Sequence, residues 1–179
     1  MAEEKKEKWM TYLSITTVLI AVCATFSTFK GGGYGTKSLM NQTLASDQWA
    51  YYQAKSIKNY ILGMQKDNLE LQILTLGKSN TSKDVIENYD KKIKEYETKI
   101  TGVEKDKDEA FKAAKEFESV RDNCKIHSAA FGIAVIFLQI SILLSSISAL
   151  AKRRFVWYIS LIVGAIGVFY FFNGFFLFV

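Results

Sequence analysis

"WMTYLSITTVLIAVCATFSTF", residues 9–29, contains no charged side chain. Wound as a helix at about 1.5 Å per residue, a run of this length matches the roughly 30 Å hydrocarbon core of a bilayer. Two more runs have the same character: "SAAFGIAVIFLQISILLSSISALA" at residues 128–151 and "FVWYISLIVGAIGVFYFFNGFFLFV" at 155–179. All three are too apolar to leave in water and too long for a small soluble core. They predict three transmembrane helices.

Charge fills what remains. A charged tail occupies residues 1–8, a "KRR" loop residues 152–154, and a long polar insert residues 30–127. Across 179 residues the net charge is +5, and there is no proline. Proline breaks helix interiors, so its absence favours a few long helices. The insert is nearly balanced in sign and carries no basic stripe, which argues against nucleic-acid binding. "LIAVC" approaches a lipoprotein cleavage box, but Val22 precedes Cys23 where a small residue is needed. The first run is therefore read as a retained membrane helix. The lysines of the tail and the "KRR" loop fall on one side of a three-span chain. They favour a cytoplasmic N-terminus with the insert outside, although Lys112, Lys115, Arg121 and Lys125 pull the other way.

Within the insert, "KGGGYGTK" (residues 30–37) reads as a glycine-rich hinge. A helical pattern follows over 38–76, and "GKSNTSK" (77–83) reads as a turn with Thr81 or Ser82 as N-cap and Asp84 in the next first turn. The second arm spaces Ile86, Tyr89, Ile93, Tyr96, Ile100 and Val103 by threes and fours; Lys107 interrupts, Ala110, Ala114 and Phe117 resume, then Arg121 and Cys124, with no stop before residue 128. The first arm offers Ala50, Ala54, Ile57, Ile61, Met64, Asn68 and Leu71 in the same rhythm. Together they predict the seam of an extramembrane antiparallel coiled-coil hairpin, with Ile61 near Ile100 and Leu71 near Tyr89. The fold class expected is thus an all-α membrane protein with three spans and one helical hairpin.

A thin seam that long is marginal alone, so a symmetric homo-oligomer is expected. Ser141, Ser145 and Ser148 in the second span, and Ser160, Gly164 and Gly167 in the third, are small residues that let membrane helices meet. Gln139 and Asn173 are read as buried hydrogen-bonding groups between spans, with a pore lining as the functional alternative.

"ASDQWAYYQAKSIKNYI" (45–61) concentrates aromatic rings and lysines. One reading packs them on the sister arm or on neighbouring subunits; the other makes Trp49, Tyr51, Tyr52, Gln53 and Lys55 an interaction surface for a protein partner. Other motifs carry less. "GGGYGTKS" lacks the second glycine of a phosphate-binding loop and has no strand before it. "GYG" lacks the preceding pair of a potassium filter. Cys124 and His127 share a face but make too few ligands for a metal site. Glu104, Asp106, Asp108 and Glu109 alternate with lysines as a solvated flank. No acid, base and nucleophile converge, so neither catalysis nor a cofactor is expected.

A stretch of one span, then "SLMNQTLASDQWAYYQAKSIKNYI", a charged hairpin and two closing spans resembles the bacterial domain-of-unknown-function 4337 family. Ala45, Ser46, Asp47, Trp49, Tyr51, Tyr52, Gln53, Ala54 and Lys55 carry the likeness. It implies a small bacterial membrane protein, for which the inner membrane is the location expected here, and brings no catalytic residues. The function expected from the whole sequence is a homo-oligomeric membrane scaffold or interaction protein, whose partners are itself and membrane lipid. A channel or transport path lined by the second span comes next, and a membrane enzyme last.

Overall fold

A computed structural model of the chain describes residues 2–76 and 83–178, with side chains from residue 8 onward. Three helices account for nearly all of it: α1 (Ala2–Leu76), α2 (Lys83–Ala151) and α3 (Arg154–Phe176). The described residues contain no strand. All three helices are long and apolar enough to cross a membrane. The expected turn, with Thr81 and Ser82, lies outside the described residues, while Asp84 stands in the first turn of α2, where a carboxylate suits the positive helix end. α3 ends at Phe176, short of the expected 179, and Leu177 caps it in the left-handed region by donating its N–H to the Asn173 carbonyl at 2.8 Å.

The glycine-rich hinge is not found. α1 is helical through residues 30–37. Three glycines in a row weaken a helix by about 1 kcal/mol each relative to alanine, but two of the four in this segment are held by packing. A Cβ on Gly31 would stand 3.0 Å from that of Phe131, and one on Gly35 would stand 3.3 Å from Ser128 Oγ. Ser128 Oγ also donates to the Gly31 carbonyl at 2.9 Å. The glycines mark a close approach of two helices, and the partners that reveal it lie nearly a hundred residues away.

The chain divides into two compact units, Met1–Met40 with Val120–Val179, and Asn41–Ser119. In the first, Ile20 and Ala24 of α1 meet Ala134 and Leu138 of α2, Val168, Tyr170 and Phe171 of α3 pack against them, and Phe131 is fully buried. Small residues make the contact possible. A Cβ on Gly164 would come within 2.8 Å of Ser141 Oγ, one on Gly167 within 2.8 Å of Leu138, and one on Gly174 within 2.7 Å of Phe131. Ser141 Oγ donates to the Ser160 carbonyl at 2.7 Å, Ser160 Oγ returns a bond to the Ser141 carbonyl at 2.9 Å, and the Ser145 and Ser160 hydroxyls lie 2.6 Å apart. Ser148 Oγ donates to the Arg153 carbonyl at 2.9 Å and braces the α2–α3 link, where Lys152 takes a φ of 51°.

Outside this contact the same unit exposes Val18, Leu19, Phe26, Ile136, Leu143, Ile162 and Phe169. Serines and glycines share the inside with a few large residues such as Phe131 and Leu138, while most of the large apolar side chains lie outside, unlike a water-soluble core. Gln139 departs from expectation: it is exposed, on the side of α2 turned away from Leu138 and Ser141.

Two kinds of glycine predict opposite effects. Gly33→Ala, where a Cβ meets nothing within 4 Å, should raise stability by about 1 kcal/mol as a helix interior gains a better former. Gly167→Val should lower it by roughly 2 kcal/mol through overpacking against Leu138. Denaturation in detergent followed by circular dichroism distinguishes this from a hinge, in which Gly33→Ala would destabilise.

Candidate functional site

The second unit is formed by the antiparallel segments of α1 and α2 between Asn41 and Ser119. On α2, Ile86, Tyr89, Ile93, Tyr96, Ile100, Val103, Lys107, Ala110, Ala114 and Phe117 are all buried or half-buried, as a heptad seam requires. On α1 the expected seam faces the other way. Ala50, Ala54, Ile57, Ile61, Met64, Asn68 and Leu71 are exposed, with Ile57 at 62%. The inward stripe is instead Ala45, Trp49, Tyr52, Ser56, Asn59, Leu62, Lys66, Leu69 and Ile73. The two stripes are offset by two residues, and that rotates a helix by about 200°.

The reason is chemical. α1 carries a heptad on each face, and the outer one is the more aliphatic. The inner one wins because α2 supplies its partners. Lys55 pairs with Asp106, and Lys66 with Glu97 at 2.9 Å. These pairs put Ile61 and Ile100 at about one level along the arms, as expected, but Ile61 looks outward.

The aromatic stretch is built on this inner stripe. Trp49 meets Phe111 edge-on at 5.5 Å between centroids and Tyr52 at 5.7 Å. Its Nε1–H donates to Glu118 Oε1 at 3.0 Å, and Lys115 Nζ lies over the indole at 5.3 Å. Lys107, which looked like an interruption in the α2 heptad, sits over the Tyr52 ring at 5.8 Å. Of the five residues expected to form an interaction surface, Trp49, Tyr52 and Lys55 thus engage the sister arm. Gln53 and Tyr51 remain on the outside, with Lys55 Nζ 4.8 Å above the Tyr51 ring. Phe111, central to the cluster, lies off the α2 seam, and periodicity gave no signal for it.

Electrostatics follow the pairs. The Lys55 hydrogen bond holds the Asp106 carboxyl below its usual range, and Asp106, with Tyr51 behind it, holds Lys55 above the usual lysine value. Glu97 raises Lys66 in the same way.

In the other unit Ser141, Ser145, Ser148 and Ser160 are buried, and Gly164 and Gly167 are packed, all within one chain and not at a free face. His127 donates Nδ1–H to the Gly174 carbonyl at 2.8 Å, since a carbonyl only accepts, and stacks on Tyr34 at 4.6 Å. Cys124 is buried. No group of three or more metal-binding side chains occurs among the described residues.

Among known proteins, the family model described as "Domain of unknown function (DUF4337)" matches residues 9–177. No curated protein and no solved structure matches the chain.

Trp49→Ala should destabilise the paired arms by about 2 kcal/mol, less than a fully buried tryptophan costs, whereas Tyr51→Ala should change stability by less than about 0.5 kcal/mol. Thermal unfolding checks both. The Lys55–Asp106 contribution should be present between the two ordinary values, 3.8 and 10.5. It should fade as pH falls through the lowered Asp106 pKa and as pH rises through the raised Lys55 pKa. Asp106→Asn should remove that share of the alkaline loss, read from melting temperatures across pH.

Proposed function

The chain belongs to this family of unknown function, and we propose from its geometry that it is a homo-oligomeric membrane scaffold. In this reading the three apolar helical runs cross a bacterial inner membrane. The N-terminus is cytoplasmic, and the charged arms form an extramembrane coiled-coil hairpin. The observation that carries the proposal is the outward heptad of α1. Ile57, Ile61, Met64 and Leu71 are 48–62% exposed, and Tyr60 beside them is 70% exposed. One helix with two seams is suited to a sister arm on one side and a second chain on the other.

Burying four such half-exposed side chains contributes roughly 1 kcal/mol each, about 8 kcal/mol over two chains. That is of the same order as the roughly 4–15 kcal/mol cost of association, and confinement to one membrane reduces that cost further. The α2 surface agrees. Gly132, Gln139 and Ser146 are exposed at seven-residue intervals along one side of an apolar helix. A glutamine facing hydrocarbon is stabilised by a partner across a helix contact. A transport path along the serines of α2 receives less support, because Ser141 and Ser145 bond to α3.

The test is a cysteine at Met64 in a background with Cys23 and Cys124 replaced. Mild oxidation of membranes should give a covalent dimer through Met64→Cys and little through a cysteine at Leu69 on the inner stripe. Met64→Glu should reduce the assembled fraction by about tenfold or more, since it sets a charge into an apolar seam. Monomeric wild-type protein by light scattering in detergent, with no cross-link in membranes, would overturn the proposal.

A further inference from the structure

Four glycines lie between Lys30 and Lys37, and packing accounts for only two of them. Gly31 and Gly35 are pressed against Phe131 and Ser128. Gly32 and Gly33 face the other side of α1, where an added Cβ would meet nothing within 4 Å. Nothing in the helical contact requires them, and each weakens the helix relative to alanine. They are exposed, as are Lys30 and Lys37. A groove of about 550 Å³ runs over this patch, bounded by Phe29, Lys30, Gly32, Gly33 and Lys37. Phe29 also closes a second groove of about 440 Å³ on the same face, lined by Val18, Ala21, Val22, Thr25 and Phe26.

The two grooves form one strip with a change of chemistry at Phe29. The apolar part spans residues 18–29, about 16 Å of helix. That is close to half the roughly 30 Å hydrocarbon thickness, the depth of one leaflet. Beyond it the backbone is bare at Gly32 and Gly33, with Tyr34 beside them, and Lys30 and Lys37 are placed seven residues apart, about 10 Å along the axis. Gly33 lies between them.

We propose that this face binds an anionic phospholipid, with an acyl chain along Val18, Val22 and Phe26 and the phosphate over Gly33, between Lys30 and Lys37. The assignment rests on the membrane reading above. Both cations suit a phosphate held as charge-assisted hydrogen bonds at the headgroup level. A second helix seated at the glycines would instead have to take both ammonium groups out of water, which is costly. The glycines give the headgroup room that any side chain would occupy.

The experiment uses the full chain, purified in detergent, mixed with phosphatidylglycerol and phosphatidylcholine of matched chains, with retained lipid counted by native mass spectrometry. Wild type should retain phosphatidylglycerol over phosphatidylcholine by about tenfold, as two interfacial lysines allow. Lys30→Gln with Lys37→Gln should abolish the preference, and so should Gly33→Leu, a change that adds a good helix former in open space. Soluble glycerol phosphate should not displace the lipid. Equal retention of the two lipids by wild type, unchanged preference in both variants, or displacement by glycerol phosphate overturns the proposal. Alkaline carbonate extraction separates the two levels of failure. A chain stripped from membranes sinks the membrane reading and the lipid site together, whereas a chain that stays embedded without lipid preference sinks the lipid site alone.

Discussion

Close approach without side chains is the constraint on which the three-helix unit depends. Gly164, Gly167 and Gly174 leave no room for a Cβ against Ser141, Leu138 and Phe131. Within a bilayer, apolar side chains gain little by leaving lipid for protein, so helices adhere through fit and polar bonds. Ser141, Ser145 and Ser160 supply those bonds at 2.6–2.9 Å, with every hydroxyl turned inward. In the proposed membrane setting the same logic leaves many large aliphatic and aromatic residues outside, where hydrocarbon would be a good solvent for them. A water-soluble protein with this distribution would expose most of its apolar volume.

The paired arms obey a different chemistry because water surrounds them in the proposed topology. Their inward stripe is held by rings, ion pairs and small residues: Trp49 with Phe111, Lys55 with Asp106, Lys66 with Glu97, and alanine at positions 45, 110 and 114. Exposed ion pairs of this type contribute little to net stability, but each lysine finds its carboxylate only in one alignment. They fix which residues of α1 and α2 stand level with one another. The aromatic stretch at 45–61 is therefore chiefly the packing face of an arm, with Tyr51 and Gln53 left on its outer side.

How far the sequence could be read depends on how many faces of a helix are apolar. α2 between residues 86 and 117 has a single apolar heptad, and every position assigned to its seam is withdrawn from solvent. α1 has two, and hydrophobicity alone selects the aliphatic one, which is the outer. Only the partner's side chains, Asp106, Glu97 and Phe111, identify the inner one, and no local pattern contains them. The glycine stretch fails for the same reason: "GGGYG" signals a break in isolation, while Phe131 and Ser128 make it a helix contact. A polar residue among apolar neighbours, Gln139 reads as buried, but its side of α2 is set by where Leu138 and Ser141 pack. Long apolar runs need no such partner, and all three helices able to cross a membrane follow from composition and length.

The inner seam of the arms also bears on why a second face is useful. Asn59 sits in that seam with its Oδ1 buried and without a hydrogen-bond partner. A polar group at such a position disfavours slipped registers at a cost in stability. Ser56 and Lys66 beside it add little apolar burial. The inner seam is therefore specific and thin, while the outward stripe of Ile57, Ile61, Met64 and Leu71 is aliphatic and carries fewer polar constraints. In the proposed assembly the labour is divided: contacts within the chain decide alignment, and contacts between chains would add the burial that a two-helix arm lacks. An arm organised this way would be more stable in company than alone, so the proposed scaffold couples folding of the arms to the number of copies gathered together.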